Sequence, residues 1–160
     1  MKHVLLRAVK HVPLSLTVHD DGVAEAQRVE RGLPVLLADV LRDPTRGGLA
    51  ATMNEIAQQA DVGIQLYEDA IPVKEQVKSA CEFLGLDPLY VANEGKLVAF
   101  CPAGKAKQLL EVMRAHPQGQ DAAIIGEVFE DTNNFVQLET SFGGMRMVDW
   151  INGEQLPRIC

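Results

Sequence analysis

Apolar residues recur along this chain at two different periods, and the switches between them lay out the elements. Leu49, Met53, Ile56, Ala57 and Ala60 fall three or four positions apart, the spacing that gathers side chains on one face of an α-helix. Val73, Val77, Ala80, Cys81 and Leu84 repeat the pattern, and a third stripe of Ala106, Leu109, Leu110 and Met113 follows Pro102 and ends near Pro117. Between the stripes lie runs of strand type: Val35 to Leu41, the alternating Val62, Ile64 and Leu66, Leu89 to Ala92, Leu97 to Cys101, Ala123 to Phe129, Phe135 to Leu138 and Met145 to Trp150. Strands outnumber helices and are not strictly interleaved with them. That order predicts an α+β domain, with helices packed on a mixed sheet rather than a purely parallel one.

The two ends differ in character from the middle. Met1 to Asp21 mixes Lys2, Arg7 and Lys10 with His3, His11 and His19, and no pattern joins it to the later core. Residues 1–31 are therefore read as an N-terminal segment of unassigned status, and 32–150 as the domain. After Trp150, Asn152-Gly153 favours a turn and Pro157 blocks a regular element. Residues 151–160 read as a tail.

Composition narrows the function classes. With 160 residues, 47% of them hydrophobic, the chain can bury one sizeable core. A formal net charge of -7 and the lack of any long Lys/Arg run argue against a nucleic-acid surface, which needs clustered cations. No apolar run nears the ~18 residues that span a bilayer, and Val4-Leu5-Leu6 is broken at once by Arg7. A soluble cytoplasmic domain without a signal peptide or membrane partner is expected. The three cysteines, Cys81, Cys101 and Cys160, are odd in number and lack metal-type spacing, so neither a disulfide framework nor a metal site is expected.

Three places could carry chemistry. In Asp43-Pro44-Thr45-Arg46-Gly47-Gly48-Leu49, Asp43 is a good helix N-cap and Pro44 a good first helical residue. Gly47 and Gly48 would together cost roughly 2 kcal/mol inside a helix, so something there requires bare backbone. A phosphate or polar substrate at exposed amides beside Arg46 is one candidate, and close packing against another chain is the other. In Asn93-Glu94-Gly95-Lys96 the local reading is a hairpin loop with Gly95 left-handed; the functional reading is a carboxylate, Glu94, aimed into a cleft as a base. Cys81 and Cys101 sit in apolar patterns and read as core residues. Cys160 does not. Its α-carboxylate disfavours the thiolate while Arg158 favours it, and from Asn152 onward nine residues span ~30 Å when extended.

Taken together, Asp43 to Leu49, the following Asn54-Glu55-Ile56-Ala57, the stretch Leu86-Asp87-Pro88-Leu89-Tyr90-Val91-Ala92-Asn93-Glu94-Gly95-Lys96, and Pro157-Arg158-Ile159-Cys160 resemble the HypE family of hydrogenase maturation proteins. The first motif alone indicates the wider superfamily that includes aminoimidazole ribonucleotide synthetase and selenophosphate synthetase; the last four residues single out HypE. The resemblance covers Gly32 to Cys160. It implies the three-layer C-terminal domain of that superfamily, with partial likeness to a ferredoxin-type sheet.

It also implies a chemistry for [NiFe]-hydrogenase maturation. The carbamoyltransferase HypF places a carboxamide on Cys160, and ATP-dependent dehydration turns the thiocarbamate into a thiocyanate. The cyano group then passes to iron held by HypC and HypD. By motif position Glu94 is the base, Asp43, Thr45, Arg46, Gly47, Gly48 and Asn93 line the cleft, and Pro157, Arg158 and Ile159 belong to the tail. ATP and Mg²⁺ are expected to be held mainly by the family's N-terminal half, which nothing before Gly32 resembles, so no cofactor is expected tightly bound here. A shortened or fragmentary form of the family's chain is therefore expected, unable by itself to dehydrate, and a homodimer of the full-length protein stays open. Two alternatives stand beside the carrier reading: a non-catalytic docking module for maturation partners, and a domain of a sister ATP-dependent synthetase.

Overall fold

The computed structural model describes residues 40–93 and 95–150 throughout, and the backbone of 3–9, 17–18 and 24–25. In chain order the strands are β1 (His3–Val9), β2 (Thr17–Val18), β3 (Ala24–Glu25), β4 (Val40–Arg42), β5 (Gly63–Tyr67), β6 (Lys96–Pro102), β7 (Ala123–Phe129), β8 (Val136–Glu139) and β9 (Met145–Met147). The helices are α1 (Gly48–Ala60), α2 (Glu75–Leu84) and α3 (Ala106–Ala115). Seven strands form one sheet in the order β4-β6-β1-β7-β5-β8-β9, and β2 and β3 pair separately. Among the described strands of this sheet β5 and β8 run parallel, and the other neighbours are antiparallel. The sheet is mixed, as expected.

Alternation along β6 explains how the layers arise. Successive side chains of a strand point to opposite faces. Val98 and Phe100 join the core built around Leu49, Met53, Ile56, Ile64, Leu66 and Leu138, so α1 covers that face. Ala99 and Cys101 join the smaller core of Ala106, Leu109, Met113 and Ala122, so α3 covers the other. The result is helix, sheet, helix. Helix α3 keeps its stripe to one side, with Ala106, Leu109 and Met113 buried.

Three expectations need correction, and a fourth is tested only in part. His3–Val9, left unjoined to the core by the sequence reading, is an interior strand paired with both β6 and β7; its pairings reach about a hundred residues along the chain, beyond any local pattern. Leu89 to Ala92 is not a strand but a turn segment, because it packs on α1. Met145 to Trp150 pairs only as far as Met147, since Val148 bends inward to 1% exposure and its N–H donates to the Val136 carbonyl at 2.8 Å. Of Val35 to Leu41, residues 40 and 41 lie in β4, and 35–39 lie outside the described residues.

The stripe on α2 has the right period, but only Cys81 is buried. Val77, Phe83 and Leu84 are exposed. Periodicity says which side chains share a face, not what covers it. No helix among the described residues is long and apolar enough to cross a membrane.

Candidate functional site

Two loops meet at one end of α1. The first, Asp43 to Gly47, links β4 to α1, and at its base Arg42 pairs with Glu55; both are about two-fifths exposed, so the pair itself adds little. Helix α1 starts at Gly48 with Gly47 as the preceding cap residue, not at Pro44. Asp43 is therefore no N-cap. It is exposed, as is Arg46, while Pro44 is buried and Thr45 and Gly47 are half-buried.

The paired glycines now have a cause. Gly47 and Gly48 take φ of 68° and 64°, left-handed values that cost a side chain about 1–2 kcal/mol. A Cβ on Gly48 would also lie 2.5 Å from the carbonyl oxygens of Leu89 and of Val91. The bare backbone is thus required by close packing, against this chain's own second loop rather than another chain.

That second loop, Asp87 to Asn93, is shaped by its aspartate. One carboxylate oxygen of Asp87 accepts the Leu89 N–H at 2.9 Å, and the Asp87 carbonyl accepts the Tyr90 N–H at 3.0 Å, a turn typical of aspartate. Main-chain bonds then zip the loops together. Ala50 N–H donates to the Leu89 carbonyl at 2.9 Å, and Asn93 N–H donates to the carbonyls of Pro44 and Thr45 at 3.2 and 3.3 Å. Gly48 N–H donates to Thr45 at 3.4 Å. Amides of Gly48 and Ala50 at the helix start are thus used internally, and the helix start joins loops instead of presenting those donors to an anion.

The structure therefore brings Asp43, Thr45, Arg46, Gly47, Gly48 and Asn93 into one neighbourhood. Gly95 is left-handed at φ 70°, as expected. Glu94 and the tail residues Pro157, Arg158, Ile159 and Cys160 lie outside the described residues. Beside the loops runs a groove of about 600 Å³ whose lining includes Leu49, Val73, Lys74, Leu89, Asn93 and Lys96. No group of three or more His, Cys, Asp or Glu able to hold a metal occurs among the described residues.

Residues that the sequence reading missed fasten the chain's last described segment to this site. Asn54 is 7% exposed, and its Nδ2 donates to the carbonyls of Ala50 and Val148, both at 2.9 Å. The signal was present: an asparagine placed on the buried face of an apolar helix must find a partner. Arg146 pairs with the other oxygen of Asp87 at 2.6 Å. The Asp149 backbone bonds the Tyr90 hydroxyl.

Burial raises the Tyr90 phenol above its ordinary value of 10.0, with Arg146 opposing and Asp87 adding to the rise. Burial, then Glu127 and Glu139, raise Tyr67 in the same direction. A raised folded pKa contributes stability below pH 10.0 that is lost as pH climbs through the folded value. Ultraviolet titration should show tyrosinate forming at higher pH in the native chain than in the unfolded one, and Arg146→Ala should move Tyr90 further upward. Titration of both phenols at the ordinary value would contradict this geometry.

The model of the AIR synthase related protein C-terminal domain matches residues 19–139. The chain belongs to that family. It is 72% identical over 120 residues, 75% of its length, to the carbamoyl dehydratase HypE of Azotobacter vinelandii, of which it covers 35%. A crystal structure of hydrogenase maturation protein HypE in complex with ATP matches with a TM-score of 0.77 and 38% identity, covering 99% of this chain and 52% of that one. A HypE–HypF complex matches with a TM-score of 0.73 and 37% identity, over 93% of this chain and 53% of that one. The α+β fold is thus that of the AIR synthase type, and the chain spans about a third of the length of the curated relative.

Proposed function

We propose that this chain serves [NiFe]-hydrogenase maturation as the C-terminal part of a carbamoyl dehydratase, with Cys160 as the carrier thiol. The observation that carries the reading is spatial. The two loops holding the family's motif residues are joined, and the segment leading into the tail is fastened beside them.

In this reading HypF transfers a carboxamide to the Cys160 sulfur, giving a thiocarbamate. The amide oxygen is a poor leaving group until it becomes a phosphate ester. Oxygen therefore takes the terminal phosphoryl of ATP with release of ADP, and both N–H protons leave. The C–O bond then breaks as phosphate departs, and an S-bound C≡N remains. Glu94 is assigned as the proton acceptor, with Asn93, Asp43, Thr45 and Arg46 orienting the group. The tail brings the reacting atoms together, converting an encounter in solution into an intramolecular one. In this reading the reaction needs a nucleotide and magnesium, and the Gly48 and Ala50 amides, used internally, are not offered to the nucleotide's phosphates. Both are assigned to the length of the relatives that this chain does not span. The cyano group would pass to iron held by HypC and HypD.

Support for HypF and ATP comes from relatives whose solved structures contain them. A docking role is a second reading, favoured by Val77, Phe83 and Leu84 standing exposed on α2. One experiment separates them. After incubation with HypF, carbamoyl phosphate and ATP, peptide mass mapping should find one carboxamide, on the fragment holding Cys160. Partner binding with no mass gained would favour docking.

A further inference from the structure

Helix α2 carries an apolar side that the described residues leave largely uncovered. Val77, Cys81 and Leu84 fall four and three positions apart and share that side. Cys81 turns into the chain's own interior, but Val77 and Leu84 are 47% and 63% exposed. Beside α2 runs the groove of about 600 Å³, and Val77 belongs to its wall. Ten of the fifteen residues lining it are apolar, from Leu49 of α1 to Ala123 of β7.

The other five are Asn93, Asp121 and three cations, Lys74, Lys96 and Arg114. Three cations face one carboxylate in a chain whose net charge is -7. Arg114 is held in place, its Nε–H donating to the Ala122 carbonyl at 2.8 Å. Lys74 and Arg114 are exposed and Lys96 is half-buried, so hydrated cations edge an apolar floor. An apolar centre with a polar rim is the anatomy of a protein interface. A small-molecule pocket instead encloses its ligand and aims a few desolvated polar groups at it, and Asn93 is the one neutral polar residue among the described lining.

We propose that this groove and the adjoining side of α2 form a docking site for a short segment of a partner protein that combines apolar side chains with carboxylates. The apolar side chains take Val77 and the groove wall out of water. The carboxylates face Lys74, Lys96 and Arg114, which attract them on approach and disfavour a basic segment in the same place. This rests on the docking reading above and asks nothing of Cys160.

Selection of random short peptides displayed on phage, with the chain as bait, tests the site without presupposing a partner. Enriched peptides should be rich in Leu, Ile or Phe together with Asp or Glu. The strongest, synthesised with a fluorophore, is then titrated by anisotropy. Val77→Glu should weaken its binding by roughly tenfold or more, since a carboxylate enters an apolar contact and faces the peptide's own charge. Lys74→Gln should weaken it about twofold to fivefold and flatten its dependence on salt. Phe83→Glu should leave it unchanged, because Phe83, 90% exposed, points to another side of α2 and lies outside the groove lining.

All three positions are exposed, so thermal unfolding of the variants should match the parent; were Val77→Glu to unfold, Lys74→Gln decides. Absence of any enriched peptide, enrichment of basic ones, or equal losses from Val77→Glu and Phe83→Glu would overturn the docking site. So would a self-associated chain that Val77→Glu makes monomeric, since the occupant would then be a second copy. Partner binding that persists in the Cys160 experiment while the groove fails would leave the docking reading standing at another surface.

Discussion

Gly48→Ala is expected to destabilise the chain by about 2–5 kcal/mol. A left-handed alanine costs about 1–2 kcal/mol, and forcing a methyl group against packed backbone costs about 1–3 more. The second contribution dominates because the obstructing atoms are the carbonyl oxygens of Leu89 and Val91, 2.5 Å from the new Cβ, and backbone cannot rotate away as a side chain can. The control is Gly85. It has nearly the same φ, 66°, but nothing within 4 Å of its would-be Cβ, so Gly85→Ala should show the conformational cost alone. Thermal unfolding measures both, at ~2–4 °C per kcal/mol for a chain of this size. Equal losses at the two sites would contradict the close approach of the loops.

Cys160→Ser is expected to abolish carbamoyl incorporation while leaving thermal stability unchanged. A hydroxyl without an activating base is a far poorer nucleophile than a thiol at neutral pH. Nor can the other thiols substitute: Cys81 is 7% exposed and Cys101 fully buried. Mass measurement after incubation with HypF should therefore show complete loss and no transfer to a new position. Incorporation at the original level would remove the carrier role. Full maturation activity in a full-length relative bearing the same change would favour the sister-synthetase reading instead.

Much of this molecule was written in local patterns. The stripes from Leu49 and from Ala106 became α1 and α3, and the runs at Leu97, Ala123 and Phe135 became β6, β7 and β8, because periods of 3.6 and 2 report which side chains share a face. Gly47-Gly48 was legible as a demand for bare backbone. Its reason was not, since the atoms that impose it belong to Leu89 and Val91, some forty residues on. The error at Asp43 has the same origin: a good capping residue was present, but the packing of the second loop moved the helix start to Gly48.

By itself the sequence determined the α+β class, the order of most elements, the buried position of Cys81 and Cys101, and the motif residues through their resemblance to HypE. Only the tertiary structure decided that His3–Val9 lies inside the sheet, that Leu89 to Ala92 turns instead of extending, and that Asn54 and Asp87 hold the segment leading to the tail. The physical reason is one of range. Helix and strand periodicities are set by neighbours within a turn or two, whereas strand pairing, the approach of two loops and the partner of a buried amide depend on residues brought together by folding.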